Sequence, residues 1–503
     1  MQVGSTFADR SSPRNSAMHD VTRQALPVSR RAMLSRAGLG LGSLGLATLL
    51  ADAGLAETAV APATGPAARR RAKHVIHIFT EGGASQVDTF DPKPKLIDYH
   101  NRPIDEVAKE YLAKAPEAAK GMGRLSGKLM GSPFTFAKHG QSGIEVSELM
   151  PHVAGVIDEF CVVRSMTAKN SVHELAQLIM NTGEAGVVRP SLGAWCVYGL
   201  GSENANLPAF VHLSPGGRAA GGERGFGNSF LPSWTSGTGI ATQGIETGRL
   251  DPSRLIQNLR SGSTSLAEQR RQIEMVERLH GEFTARNGTD AFLDGRISQF
   301  ETAFRMQLEA RDAFDLSREP VSVHRLYGET AMGRQCMLAR RLVERGVRFV
   351  QLYHNGWDTH EDNDNRHRSL CRDGDQPLAA LIKDLKSRDM LDDTLVVWAG
   401  EFGRTPTTDN NGDPKAKKAP GRDHNAGAFT ILLAGGGIRG GRVYGASDDF
   451  GAIAVENPLD VHDLHATILH ALGLDHTQLT FRHSGRDFRL TDVHGKVIEA
   501  WFA

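Results

Sequence analysis

Seven side chains have the types and positions that could build a metal-dependent site: Glu81, His173, Asp358, His360, Glu401, Arg404 and His424. Neutral imidazole and carboxylate oxygen are the usual ligands of zinc and manganese. An ion held by them polarises a phosphoryl or sulfuryl oxygen, or lowers the pKa of a bound water. Asp358-Thr359-His360 puts a carboxylate and an imidazole two positions apart, with His354 just upstream. Glu401 follows the wholly apolar run "TLVVWAG", and a buried carboxylate needs a partner or a metal. Arg404, three residues on, is the partner the local sequence offers. His424 stands in "GRDHN" ahead of another apolar run. Glu81 abuts Gly82-Gly83, where it serves either as a ligand or as a turn residue. His354 fits a core imidazole equally well, and His367 in "DNDNRHRS" has the setting of a surface residue.

The elements that must carry these groups are legible as apolar runs. "HVIHIF", "FCVVRSM", "PAFVHL", "VRFVQLY", "TLVVWA" and "AFTILLAG" have strand composition, and the candidate groups lie at strand ends, except His173 in the first turn of the helix after "FCVVRSM". Between them, "SVHELAQLIMNTG", "PLAALIKDLKSRDML" and "VHDLHATILHALGL" have helical spacing. Alternating strands and helices predict an α/β fold with one doubly wound, largely parallel sheet. Ligand groups then gather at the carboxyl edge of the strands. From about 252 to 319 the texture becomes charged and helical, which predicts a helical insertion.

Composition narrows the function. The 58 basic and 58 acidic residues cancel, which leaves no electrostatic footprint for nucleic acid. The four cysteines are widely spaced, with no C-x-x-C, so a sulfur-ligated metal or c-type haem is not expected. Ser29-Arg30-Arg31-Ala32-Met33-Leu34, the apolar stretch to Leu50 and Gly54-Leu55-Ala56 form a twin-arginine export signal by pattern. Residues 1–56 are therefore expected to be removed, and 57–73 to act as a linker to a domain spanning 74–503. The apolar stretch is shorter than the ~20 residues of a membrane span, so no transmembrane segment is expected in the mature protein. The expected location is periplasmic or extracellular, with the Tat translocation machinery as a partner during export.

From Lys73 to Ala503 the chain resembles the DUF1501 family, exported bacterial proteins related to the alkaline phosphatase and sulfatase superfamily. The resemblance rests on "GGASQVDTFDPKP", "HELAQLIMNTG", "NGWDTH", "EFGRTP", "GRDHN", "DLHATILHALGL" and "GRDFRLTDVHGKVI". It implies a hydrolase-like site for a small-molecule or glycan phosphate or sulfate ester. It also implies a divalent metal, zinc first, with manganese or calcium as alternatives. Asp358, His360, Glu401 and His424, with Glu81, correspond to superfamily ligand positions. Phe402 stands where phosphatases carry a ligand His. The superfamily nucleophile lies nine residues before a Thr-Gly. Counting back from Thr182-Gly183 reaches His173, where no Ser, Thr or Cys stands. His173 is then a nucleophile through nitrogen, a general acid, a further ligand or an anion binder, and Arg404 a neutraliser of ester oxygens. A non-catalytic metal- or anion-binding protein of the same fold is the alternative.

Overall fold

The computed structural model describes residues 72–214, 221–242, 265–409 and 419–502. The export-signal pattern and the linker up to residue 71 lie outside the described residues. Ten strands matter here: β1 (His74–Glu81), β2 (Phe160–Met166), β3 (Phe210–Ser214), β4 (Thr238–Ala241), β5 (Phe349–Asn355), β6 (Thr394–Ala399), β7 (Gly403–Thr408), β8 (Arg422–Asn425), β9 (Phe429–Ala434) and β10 (Arg442–Tyr444). Eight form one sheet in the order β10-β2-β9-β6-β1-β5-β3-β4, while β7 and β8 pair as a separate hairpin.

Seven of the eight strands point the same way. β1 runs parallel to β5 and β6, β3 parallel to β4 and β5, and β10 parallel to β2. Only β9 is reversed, antiparallel to both β2 and β6. The sheet is covered on both faces, which is why its strands are almost continuously apolar. On one face Ile76, Ile78, Val350, Leu352, Val396 and Trp398 pack with residues of α5 (Ala331–Glu344) and α6 (Asn363–Ser387). On the other, Val75, Phe79, Phe349, Tyr353 and Val397 pack with α1 (His173–Thr182), α2 (Leu192–Leu200) and α7 (Val461–Ala471). Residues Leu266–Asn287 and Ala291–Phe314 form two long helices, α3 and α4, within the stretch expected to be helical. Among the described residues no helix is long and apolar enough to cross a membrane.

Polar groups interrupt the core. His77, His212 and Gln351 are cross-strand neighbours on β1, β3 and β5, and all three are buried. Burial pushes His77 down to about 3 and His212 to about 4, and it likewise lowers His465 on α7 to about 4. All three then fold as neutral imidazoles. Between these values and the unfolded value of 6.5 the unfolded chain binds more protons than the folded one. The share of stability these three contribute is therefore whole above about pH 6.5 and declines as pH falls below it, each His contributing up to about 1.4 kcal/mol per pH unit. Melting temperature should drop steeply from pH 6.5 to 4. A flat profile down to pH 4 would contradict this assignment.

Candidate metal centre

β5 ends at Asn355, and the chain turns through Gly356-Trp357 to Asp358 and His360. That loop lies against the turn after β1. The Trp357 amide donates to the Glu81 carbonyl at 3.1 Å. A Cβ on Gly82 would stand 2.3 Å from the Asp358 nitrogen, and one on Gly83 would stand 2.7 Å from the Phe402 carbonyl oxygen. Both glycines also have positive φ, so this crossing of two loops accepts no side chain. β6 ends at Ala399 and delivers Glu401 and then β7. β7 pairs with β8 so that Arg404 and His424 are cross-strand partners, one under and one beside Asp358. β9 runs opposite to its neighbours. Its entrance, where His424 lies, is therefore at the same edge as the exits of β1, β5 and β6. α1 starts at that edge with His173 and closes at Gly183 in the left-handed conformation usual for a helix C-terminus.

These segments bring His173, Asp358, His360 and His424 together, one ligand atom from each lying within 4.8 Å of every other. Asp358 Oδ1 is 3.2 Å from His173 Nε2, 2.9 Å from His360 Nε2 and 3.2 Å from His424 Nε2. The His360 and His424 Nε2 atoms face each other at 2.8 Å. The Nδ1 side of each ring is tied to an acceptor. His173 Nδ1 meets Glu401 Oε1 at 2.7 Å, His360 Nδ1 meets Asp409 Oδ2 at 2.7 Å, and His424 Nδ1 meets the Ser171 carbonyl at 2.6 Å. Acceptors at Nδ1 place the proton there and turn each Nε2 lone pair inward, which is how metal-binding imidazoles are oriented. The His173 Nε2 atom is buried and faces Asp358 Oδ1. Three inward lone pairs and one carboxylate oxygen fit a four-coordinate divalent ion of the zinc type.

Without an ion, the cluster holds protons instead. Burial works to lower His173, but its bonds to Asp358 and Glu401 outweigh this and push it up to about 9. The bond to Asp358 likewise raises His360. Burial would raise Asp358, yet His173, His360, His424 and Arg404 together hold it far below the usual carboxylate range.

The other expected site residues stand around this group. Glu401 is fully buried and one bond back, its Oε1 accepting from the Gly82 amide at 3.0 Å and from Gln177 at 3.3 Å as well as from His173. Arg404 is not its partner. The Arg404 guanidinium is fully buried, donating to Asp358 at 2.7 Å and to the carbonyls of Gly82, Gly83 and Arg422. It faces no solvent from which an ester oxygen could approach. Glu81 ends β1 outside the donor group, where burial and then the Glu401 charge raise its carboxyl. Phe402, in place of a ligand His, lays its ring against His173 at 4.9 Å and His424 at 4.6 Å. His354 is buried against Trp357. His367 is not a surface residue: it is fully buried and accepts the Ser85 amide at Nε2. Asp409 and the Ser171 carbonyl were not anticipated. No spacing in the sequence marks them, because they meet the rings only through the hairpin and the start of α1.

A protein-family model described as "Protein of unknown function (DUF1501)" matches residues 72–502. Comparison with curated proteins gives no match. Among solved structures, the chain is similar to the PsFucS1 sulfatase from Pseudoalteromonas sp., at 11% identity over 91% of this chain and 78% of that one, with a TM-score of 0.32. It is similar to alkaline phosphatase from the Antarctic bacterium TAB5, at 10% identity over 75% and 95%, TM-score 0.29. It is also similar to the C-terminal periplasmic domain of EcEptC from Escherichia coli in complex with Zn, at 8% identity over 85% and 94%, TM-score 0.32.

Proposed function

We propose that this chain, which belongs to the DUF1501 family of proteins of unknown function, is an exported metal-dependent hydrolase of a phosphate or sulfate ester. One observation carries the proposal: three imidazoles, each tied at Nδ1, turn Nε2 toward the same point as Asp358 Oδ1 at the carboxyl edge of the sheet. His173, Asp358, His360 and His424 would hold the ion, zinc before manganese or calcium. When bound, such an ion supplies a polarised ester oxygen and a water of lowered pKa. The chain's own groups do the rest. Glu401 fixes the His173 ring and keeps its proton on Nδ1. Arg404 anchors Asp358 from beneath, with a guanidinium already saturated by protein oxygens. Phe402 walls the imidazoles on one side. In this assignment His173 is a ligand and not the nucleophile.

The deciding assay is a panel of aryl phosphate monoesters, diesters and aryl sulfates, run with zinc, manganese and calcium. Turnover should require a divalent ion and disappear in His173→Ala together with about one equivalent of bound metal. Turnover that persists in metal-free protein would refute the proposal. One observation favours a second reading, a metal-binding protein without turnover: no hydroxyl or thiol occupies the His173 position. Stoichiometric metal with no turnover on any ester would select that reading. Export through the twin-arginine pathway belongs to the same proposal and rests on Ser29 to Leu34. Changing Arg30 and Arg31 together to Lys should leave the precursor in the cytoplasm, and fractionation showing normal export would remove that part.

A further inference from the structure

A cavity lies at the C-terminal end of α1. Its volume is about 100 Å³, and it is lined by Thr182 and Gly183 at the helix terminus, with Trp195 and Phe488 as apolar wall and Lys169, Arg189 and Arg489 as cations. Against about 300–1,000 Å³ for drug-sized sites, this is room for a small group and not for a whole ligand.

The charges there are unevenly satisfied. Glu184 accepts two backbone amides, Ala185 and Gly186, each at 2.8 Å. Asp492 is taken by Arg486. The two arginines are left open. Arg189 lies over the Phe488 ring with its guanidinium carbon 4.3 Å from the centroid, and among the described residues it has no hydrogen bond or ion pair. Arg489 uses Nε on the Asp492 carbonyl, leaving its two terminal nitrogens. Lys169 is shared between Asp460 at 3.6 Å and His462 Nδ1 at 3.4 Å. A guanidinium fork held flat by an aromatic ring suits a tetrahedral oxyanion.

We infer that this cavity is a second anion subsite, taking a sulfate or phosphate group of an oligomeric polyanion whose scissile ester lies at the metal centre. The word scissile rests on the hydrolase proposal; the anion site itself does not. Ile179, Thr182 and Gly183 line the cavity, six to ten residues beyond His173 along α1. At 1.5 Å per residue the two anionic groups of the ligand stand roughly 9–15 Å apart. Beside His173 the chain exposes Val172 and Leu175, an apolar rim at the metal-centre end of α1.

The test uses metal-loaded full-length protein and three probes: a sulfated hexasaccharide, its phosphorylated counterpart and the unsubstituted hexasaccharide, each measured by calorimetry. Arg189→Ala and Arg489→Ala should each weaken binding of a charged hexasaccharide by about tenfold or more. Arg189→Glu should weaken it further, and the unsubstituted probe should bind neither the wild type nor any variant. The charged probe that responds to the substitutions names the source, sulfate or phosphate. Cleavage of a single-anion aryl ester, which does not reach the cavity, should be unchanged. Melting temperatures equal to wild type exclude misfolding as the cause. Wild-type affinity for both charged hexasaccharides in all three variants would overturn the inference. Arginine-sensitive binding with no ester turnover would leave the subsite standing and remove the hydrolase. Turnover with arginine-insensitive binding would do the reverse.

Discussion

Asp358→Ala is expected to abolish tight metal binding and all metal-dependent turnover. The reason is that one oxygen, Oδ1, sits within 3.2 Å of three imidazoles and 2.7 Å of Arg404. Among the described residues no other carboxylate can replace it. Glu401 stands behind His173, and Asp409 and Asp423 are on the far side of His360. Asp358→Asn preserves the shape and an acceptor for Arg404 but removes the charge, so it should fold well and still fail to retain an ion. Glu401→Gln is the graded comparison. It leaves the donor set intact and disturbs only the ring behind which it sits, for which about 10–100-fold in affinity or activity is usual. Elemental analysis after dialysis against a weak chelator reads all three variants. Full metal retention by Asp358→Ala would remove Asp358 from the centre, and an unaltered Glu401→Gln would remove the supporting role of Glu401.

Arg422→Met should be the most destabilising single substitution near the site, by about 3–5 kcal/mol. Arg422 and Asp88 are both fully buried, bonded through Nε at 2.7 Å and Nη2 at 3.1 Å. That pair holds the Asp88 carboxyl far below its usual range even though burial, the largest influence on it, acts the other way. Removing the guanidinium leaves a charge in a dry site with only Ser85 and Asn363 as donors, at 2.7 and 3.0 Å. Domain stabilities of 5–15 kcal/mol make such a loss easy to see in urea titrations. A change below about 1 kcal/mol would show that water reaches the pair, the usual result for exposed ion pairs.

Strand composition made the parallel sheet legible, and strand ends made Asp358, His360 and His424 legible as neighbours. What the sequence could not display was direction. "AFTILLAG" has the same composition as its neighbours, yet β9 alone is reversed. That reversal explains why His424 precedes its strand while Asp358 and His360 follow theirs. Glu401 was recognised as a buried carboxylate in need of a partner, but the partner is His173, 228 residues away in sequence, and not the nearby Arg404. Local spacing favoured the nearer cation; the register of the hairpin turned Arg404 toward Asp358 instead. His367 was misplaced for a related reason. Its polar neighbours suggested solvent, whereas the first turns of α6 point inward at the Asp88–Arg422 pair.

The reversed strand also sets when the centre can exist during folding. The bond that orients His424 joins residues 253 positions apart, and its ring completes a set whose other members come from α1 and the loop after β5. Closing such long loops delays the contacts that depend on them. No fragment containing only "NGWDTH" or only "GRDHN" has two fixed imidazoles and a carboxylate to offer. Unlike a short finger that folds around its ion, this chain acquires its ligand set only once β6 and β9 have paired across the middle of the sheet. With the proposed ligand set, capture of a metal would report completed assembly of the domain, and an ion added to the unfolded chain would have nothing pre-formed to nucleate.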